Sequence, residues 1–257
     1  MKKIKAENNW VSKVMLRRML IVWITLVIIG ILFYKITLIA IISSVISTGL
    51  LVMLILFYYA HHKLSASGDD FQGQISALVT NKIEPASTGK LLDIGCGCGI
   101  LSVDLALKCP QLTIQSIDYW GSMWGYSKEK CEMLAEEYNV ADRIHFERAS
   151  ASALPFPDET FDIVISNMVF HEVADAKDKR EVIKEALRVL KKGGQFVFQD
   201  LLLSEKLYGN TDDLIRYIQA TEVTSVSLEK TKEQINIPAL LSSPSFFGNA
   251  ALLFGIK

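Results

Sequence analysis

The sequence predicts an α/β domain, a mostly parallel sheet covered by helices on both faces, preceded by two transmembrane helices. Three observations carry that expectation. Between residues 90 and 200 short apolar runs alternate with segments of helical period, the pattern of repeated βα units. The first run, LLDIGCGCG at residues 91–99, passes through an acid into three alternating glycines. Ahead of it, residues 19–60 contain a single charged residue, Lys35.

The apolar segment comes first in the chain. Residues 1–64 carry eight Lys or Arg against one acid, Glu7, whereas residues 65–257 carry 19 basic and 27 acidic residues, so the overall charge of −1 conceals two opposite halves. An acidic globular part argues against nucleic acid as a partner. Lys35 divides the apolar run into 16 residues before it and 25 after. As one helix the run would measure about 63 Å, roughly twice a bilayer core. Two spans, about 14–34 and 36–60, fit better, with Arg17 and Arg18 snorkelling toward headgroups. Lys2, Lys3, Lys5, Lys13, Arg17 and Arg18 precede the first span, and His61, His62 and Lys63 follow the second. Both flanks therefore read as cytoplasmic, with the lipid bilayer as partner and Lys35 at the outer tip. A cleaved signal peptide is the alternative, but one is not normally followed by a second apolar run. The chain thus divides at residues 1–64 and 65–257.

Four cysteines do not make a disulfide framework. Cys96 and Cys98 form CxC rather than the CxxC spacing of zinc sites, and no metal site is expected.

After a polar linker, LSASGDD, the elements follow in order. Strands are expected at residues 90–94, 112–117, 143–147, 161–166 and 195–199, and helices at 99–108, 127–138 and 177–190. Ser127 is the N-cap of the second helix, and Gly193 with Gly194 stops the third. The tail reads as a helix at 211–220, an extended stretch at 225–235 and a closing strand at 250–256, the last two forming a hairpin.

In an open α/β sheet the ligand sits beyond the carboxyl ends of the strands. The first strand end offers Asp93 and the turn of Gly95, Gly97 and Gly99, where glycine permits positive φ and close backbone approach. The helix after it aims its N-terminal amides at a ligand. Cys96 is small beside that ligand. The second strand ends in Asp118, an acid suited to both ribose hydroxyls, followed by Tyr119 and Trp120, aromatics suited to an adenine face or to packing.

The ordered set LLDIGCGCG, SIDYW, ALPFPDETFDIVISN and EALRVLKKGGQFVFQD resembles the class I S-adenosylmethionine-dependent methyltransferases, nearest to those acting on quinones and small molecules, over about residues 70–257. The resemblance implies a Rossmann-like seven-stranded sheet whose last strand, ALLFGIK, is antiparallel to the rest. It implies S-adenosyl-L-methionine as cofactor, with Asp93, Gly95, Gly97 and Gly99 along its methionine and ribose portion and Asp118 on the ribose hydroxyls. It places Asn167 beside the methionine and the acceptor. Where the family often carries an acid near the adenine amine, this chain has Ser150. Its hydroxyl and the Ala151 amide remain as hydrogen-bonding groups. Residues 211–245 are expected to border the acceptor pocket.

The cofactor's sulfonium carries an activated methyl group, so alignment and exclusion of water are the main requirements. His171, four residues past Asn167, is the general-base candidate by position, with Glu172 behind it and a structural histidine as the alternative. The function expected is methyl transfer to a small, lipid-like acceptor at the cytoplasmic face of a membrane. A membrane-anchored NAD(P)-dependent reductase is the rival, but GxGxxG from Gly95 would need Gly or Ala where Ile100 stands. A membrane protein that binds the cofactor without catalysis is the other.

Overall fold

Two units divide the chain in the computed structural model, which describes residue 4 and residues 9–121, 125–244 and 246–257. One comprises residues 7–72 with 121–125, the other residues 1–6, 73–120 and 126–257. Lys2, Lys3 and Lys5, named among the basic residues before the first span, lie outside the described residues.

The first unit is a helical hairpin, α1 (Lys13–Leu32) and α2 (Thr37–Leu64). Ser12 caps α1 by accepting from the Met15 amide at 3.0 Å. Four residues make the turn, closed by the Phe33 amide on the Ile29 carbonyl and the Ile36 amide on the Phe33 carbonyl. Small residues let the helices approach. A Cβ on Gly30 would sit 2.8 Å from Ser43 Oγ, which donates to the Leu26 carbonyl at 2.7 Å. The second helix extends beyond the apolar run to Leu64, where the Asn9 amide donates to the His61 carbonyl and the His61 ring bonds the Val11 carbonyl, both at 2.7 Å. Outward-facing side chains remain apolar, with Ile31, Leu38 and Val45 each about two-thirds exposed. Both helices are long and apolar enough to cross a membrane, at mean hydropathies of 2.2 and 2.6.

The second unit is built on seven strands: β1 (Gly89–Ile94), β2 (Leu112–Asp118), β3 (Ile144–Arg148), β4 (Phe161–Asn167), β5 (Leu190–Asp200), β6 (Ser225–Lys230) and β7 (Ala251–Ile256). Their spatial order is β3-β2-β1-β4-β5-β7-β6. The first five pair in parallel, and β7 runs antiparallel to both β5 and β6. The sheet is Rossmann-like and mostly parallel, as expected. Because β1 is followed by β2 on one side and β4 on the other, the connections reverse at the carboxyl end of β1. Ligands of open α/β sheets bind at that reversal.

Helices cover both faces. On one, α4 (Ile100–Lys108), α5 (Lys128–Glu137) and the end of α3 (Phe71–Thr80) contribute Val103, Leu105, Ala106, Cys131, Leu134 and Val79 to a core with Leu91, Ile114, Ile163 and Val197. On the other, α6 (Lys179–Arg188), α7 (Glu205–Tyr208) and α8 (Thr211–Gln219) bring Val182, Ile183, Leu187, Tyr208, Leu214 and Ile218 against Leu92, Val164, Phe196 and Phe198. Ser127 caps α5, accepting from the Lys130 amide.

Within the second unit two boundaries differ from the pattern reading by more than one residue because the sheet or a turn intervenes. The helix expected over residues 177–190 ends at Arg188, and Leu190 through Gly194 belong to β5. Leu190 pairs with Phe161, and Gly193 and Gly194 exchange bonds with Lys257, so sheet pairing overrides the helical period there. The extended stretch 225–235 stops at Lys230, where α9 (Thr231–Gln234) begins. β6 and β7 pair as expected, but across that excursion.

Phe198 is fully buried and meets Phe170 and Phe196 with centroids 5.2 and 5.3 Å away. Phe198→Ala is expected to cost about 3–5 kcal/mol, read as a lowered denaturant midpoint of the detergent-solubilised chain.

Candidate active site at the carboxyl ends of the strands

The carboxyl end of β1 is held by a buried polar chain. Asp93 is 1% exposed, and its Oδ2 accepts from Ser102 Oγ on α4 at 2.5 Å. Ser102 in turn meets Ser116 Oγ on β2 at 2.8 Å. One carboxylate thus fastens two strands and a helix. Its other oxygen, Oδ1, is buried without a hydrogen-bond partner. Burial pushes the Asp93 carboxyl up to about 7, against the Ser102 bond and with the help of the Asp118 charge.

Beyond Asp93 the amides of Gly95 and Cys96 both donate to the Ile117 carbonyl, at 2.8 and 3.0 Å. Gly95 and Gly97 have φ of +76° and +60°, the left-handed region that favours glycine. They differ in what surrounds them. A Cβ on Gly95 would lie 2.2 Å from Val169 Cγ2, so this glycine is demanded by protein packing. Among the described residues a Cβ on Gly97 would meet only the Tyr126 ring at 3.5 Å, an ordinary contact. Gly99 follows at the N-cap of α4 with φ +83°, near Cys131 and Phe146. Cys96 and Cys98 are buried and free. Burial raises both thiols, which suits packing rather than nucleophilic use.

Asp118 ends β2 and grips the same turn. Its Oδ2 accepts from the Gly97 amide at 2.8 Å and its Oδ1 from the Trp120 amide at 2.6 Å. Burial raises its carboxyl against the pull of those amide bonds. Each oxygen retains a lone pair for a further donor. Trp120 takes a positive φ of +45°, and its indole N–H donates to the Gly97 carbonyl at 2.8 Å. Its ring packs against the core. Tyr119 is 65% exposed with the Arg148 guanidinium 4.8 Å over its ring. The two aromatics therefore have different surroundings, one clasping the glycine turn and one open to solvent.

Ser150 and Ala151 follow β3, and the Ala149 amide donates to the Asp118 carbonyl at 3.2 Å, which keeps this turn beside the Asp118 strand end. Asn167 ends β4 and donates to Ser76 Oγ on α3 at 3.1 Å, while its Oδ1 is buried and unpartnered. Gln199, its register partner on β5, donates to Thr231 Oγ1 at 2.6 Å and leaves Oε1 equally unpartnered. Three adjacent strands, β1, β4 and β5, thus carry at their ends buried oxygens that lack a donor among the described residues.

His171 stands in a 3-10 turn, Phe170–Glu172, directly after β4. Its Nδ1 is 2.9 Å from Asp200 Oδ1 at the end of β5, and Asp200 is fully buried. The same carboxylate accepts from the amides of Val169, His171 and Leu201 at 3.0, 3.4 and 2.6 Å. Burial lowers the tendency of His171 to charge, but the Asp200 charge and hydrogen bond, helped by Glu172, outweigh it and raise its pKa. Asp200 is correspondingly held below the usual range despite its own burial. Buried Tyr208 lies in the field of the same carboxylate, and burial followed by that charge raises its hydroxyl. His171 Nε2 lies 3.8 Å from Glu172 Oε1.

Asp200 escapes the sequence reading. Its one signal is a position, an acid closing an apolar strand in QFVFQD, as Asp93 and Asp118 close theirs. Among the described residues no cluster of His, Cys, Asp and Glu has the makings of a metal site.

The chain matches known proteins where this geometry lies. Residues 92–198 match the family model described as a methyltransferase domain. The ubiquinone/menaquinone biosynthesis C-methyltransferase UbiE of Geotalea daltonii is 32% identical over 117 residues, 45% of this chain and 47% of that protein. The 27-O-demethylrifamycin SV methyltransferase of Amycolatopsis mediterranei is 33% identical over 144 residues, 55% of this chain and 50% of that one. The chain therefore spans about half the length of these relatives. The crystal structure of the YcgJ protein from Bacillus subtilis superposes with a TM-score of 0.51 at 19% identity, covering 72% of this chain and 98% of that one.

The raised Asp93 has a measurable consequence. Between the ordinary carboxyl pKa near 3.8 and about 7 the folded chain holds a proton that the unfolded chain releases. Its contribution is thus most favourable at low pH and is lost as pH rises toward 7, by about 1.4 kcal/mol per pH unit. Asp93→Asn is expected to remove that slope, seen as a flatter dependence of unfolding free energy on pH between 4 and 7. An unchanged slope would show that Asp93 ionises normally. These observations agree on one point: residues 92–198 carry the sequence marks of a methyltransferase domain on a methyltransferase-like Rossmann sheet.

Proposed function

We propose that the chain is an S-adenosyl-L-methionine-dependent methyltransferase. The observation that carries the reading is the Asp93–Gly99 turn joined to Asp118 by the Gly97 amide, inside the stretch that matches a methyltransferase domain. The residues suit the cofactor. The unpartnered oxygens of Asp93, Asn167 and Gln199 make this end of the sheet rich in acceptors, the environment sought by a ligand bearing ammonium and sulfonium groups. Gly97 leaves backbone open to close approach, and Asp118 keeps lone pairs for ribose hydroxyls.

When bound, the cofactor supplies an activated methyl group. The chain holds it along Asp93, Gly95, Cys96, Gly97 and Gly99, with Asp118 at the ribose, Tyr119, Trp120, Ser150 and Ala151 toward the adenine, and Asn167 toward the methionine. Asp200 orients His171 through Nδ1 and stabilises its protonated form, leaving Nε2 to take a proton from the acceptor. That assignment favours an acceptor that loses a proton on methylation, a hydroxyl or an enolic carbon. The relatives named above are, by their names, a C-methyltransferase and a methyltransferase of 27-O-demethylrifamycin SV.

The hairpin supplies location. Its two apolar helices and the basic residues at their open ends, Lys13, Arg17, Arg18 and Lys63, support insertion with both ends cytoplasmic and the domain at that surface. From there the site meets a lipid-like acceptor partitioned in the bilayer.

Equilibrium dialysis of the full chain against labelled S-adenosylmethionine and against NADH tests the cofactor, with saturable binding expected for the first alone. Heavy-methyl cofactor incubated with membrane extract then reveals the acceptor by mass shift. With that acceptor His171→Ala is expected to lower kcat by ~10²- to 10⁴-fold with little change in cofactor affinity, and Asp200→Asn to lower it less. Unchanged kcat in His171→Ala removes the base assignment. If a chain beginning at Ser65 methylates the same acceptor equally fast without membranes, the delivery role of the hairpin is wrong.

A further inference from the structure

Ser150 stands where an acid is expected from the resemblance, yet an acid reaches it from elsewhere in the fold. Asp175, on the loop between β4 and α6, presents its Oδ2 to Ser152 Oγ at 2.6 Å and to Ser150 Oγ at 3.4 Å. The two hydroxyls lie 2.8 Å apart, and the Ser152 amide donates to Ser150 Oγ at 3.3 Å. An antiparallel bridge between Ser150 and Ala153 closes the turn beneath them. Asp175 is exposed, and both serine contacts fall on Oδ2, leaving Oδ1 with no hydrogen bond from another side chain among the described residues. The hydrogen bond from Ser152, opposed by slight desolvation, holds its carboxyl below the usual range.

The position of this carboxylate gives it a use. Asp118 pairs in register with Arg148, the last residue of β3, and the Ala149 amide bonds the Asp118 carbonyl. The 149–153 turn therefore rises immediately beyond the acid assigned to the ribose. A base carried on that ribose would have this rim within reach. The rim offers an ionised acceptor steadied by two hydroxyls, the complement of an exocyclic amine.

We propose that Asp175, seated by Ser150 and Ser152, accepts the exocyclic amine of the cofactor's adenine and replaces the acid missing from the end of β3. The proposal rests on the cofactor reading above. It goes beyond it in recruiting a residue from the loop that also carries His171. A carboxylate that merely fastened the loop to the turn would be indifferent to the 6-substituent of the base.

That difference is the test. Isothermal titration of the full chain in detergent compares S-adenosylhomocysteine with S-inosylhomocysteine, in which a carbonyl replaces the amine. The wild type is expected to prefer the adenine compound by ~10- to 100-fold, the penalty of facing a carboxylate with an acceptor. Asp175→Asn, whose amide can both donate and accept, is expected to reduce the preference to within about threefold. Ser150→Asp in the same chain as Asp175→Asn returns a carboxylate to the rim and is expected to restore the preference. Full adenine preference in Asp175→Asn overturns the proposal while leaving the cofactor reading intact. So does a preference lost in Asp175→Asn and not restored by Ser150→Asp, since the loss would then come from displacement of the loop. If the wild type binds neither compound, the cofactor reading fails and takes the proposal with it.

Discussion

The turn at the carboxyl end of β1 depends on how Gly97 is held. Its amide donates to Asp118 Oδ2, and its carbonyl receives both the Trp120 indole N–H and the Cys131 thiol, at 2.8 and 3.3 Å. A residue at φ +60° has no helical or strand bonds to satisfy its backbone, and buried backbone groups left unpaired are costly. Side chains from β2, the segment after it and α5 supply the missing partners. The Asp118 carboxylate consequently sets the turn. Its half-buried position serves that task, because full burial would push the carboxyl toward the neutral form and weaken its hold on the amides.

A second set of constraints meets the first at Val169. Asp200 accepts from the Val169 amide, and Val169 fills the space over Gly95 that a Cβ would occupy. Met168 just before it adopts φ +59°, with its amide on the Gln199 carbonyl at 2.7 Å. A non-glycine residue in that region is strained, and such strain persists only where surroundings enforce it. Here they do: the β5 end pulls the chain leaving β4 into a tight turn, which seats Val169 on the glycine turn and brings His171 to Asp200. His171 and the glycine turn are therefore placed by the same carboxylate.

What could be read from the residues divides along the range of the interactions. Asp93, the three glycines, Asp118 and the Ser127 cap announce themselves because each acts within a few residues of its own place in the chain. The same holds for the apolar hairpin, whose two helices need only length and composition to be read. The end of α6 was misplaced because nothing local distinguishes LRVLKKGG from a helix running to its glycine stop. The pairing of Leu190 with Phe161, and of the glycines with Lys257, decides it. Asp200 and Asp175 stayed invisible for the same reason, since their partners lie 29 and 25 residues away. An acid at a strand end signals a site, but its partner is set by strand order. Trp120 shows the converse. Its place after Asp118 was plain, whereas its use on the Gly97 carbonyl follows from a positive φ that no tryptophan advertises.

The loop from Met168 to Asp178 gathers these threads. It begins at the strained exit from β4 and carries His171 on Asp200. It then presents Asp175 to Ser150 and Ser152, and ends at Asp178, the N-cap of α6. Midway it is braced by a buried lysine: Lys179 donates to the carbonyls of Val173 and Ala176. Those carbonyls lie between the His171 turn and the α6 cap, where no helix or strand satisfies them. A buried ammonium costs several kcal/mol unless well bonded, so its presence there marks the loop as a segment whose shape matters. With its base end tied to β5, its middle to Lys179 and its acid end to the turn after β3, the loop cannot adjust one contact without disturbing the others. A loop bonded at three places to β5, α6 and the turn after β3 holds His171 and Asp175 in a fixed relation to one another.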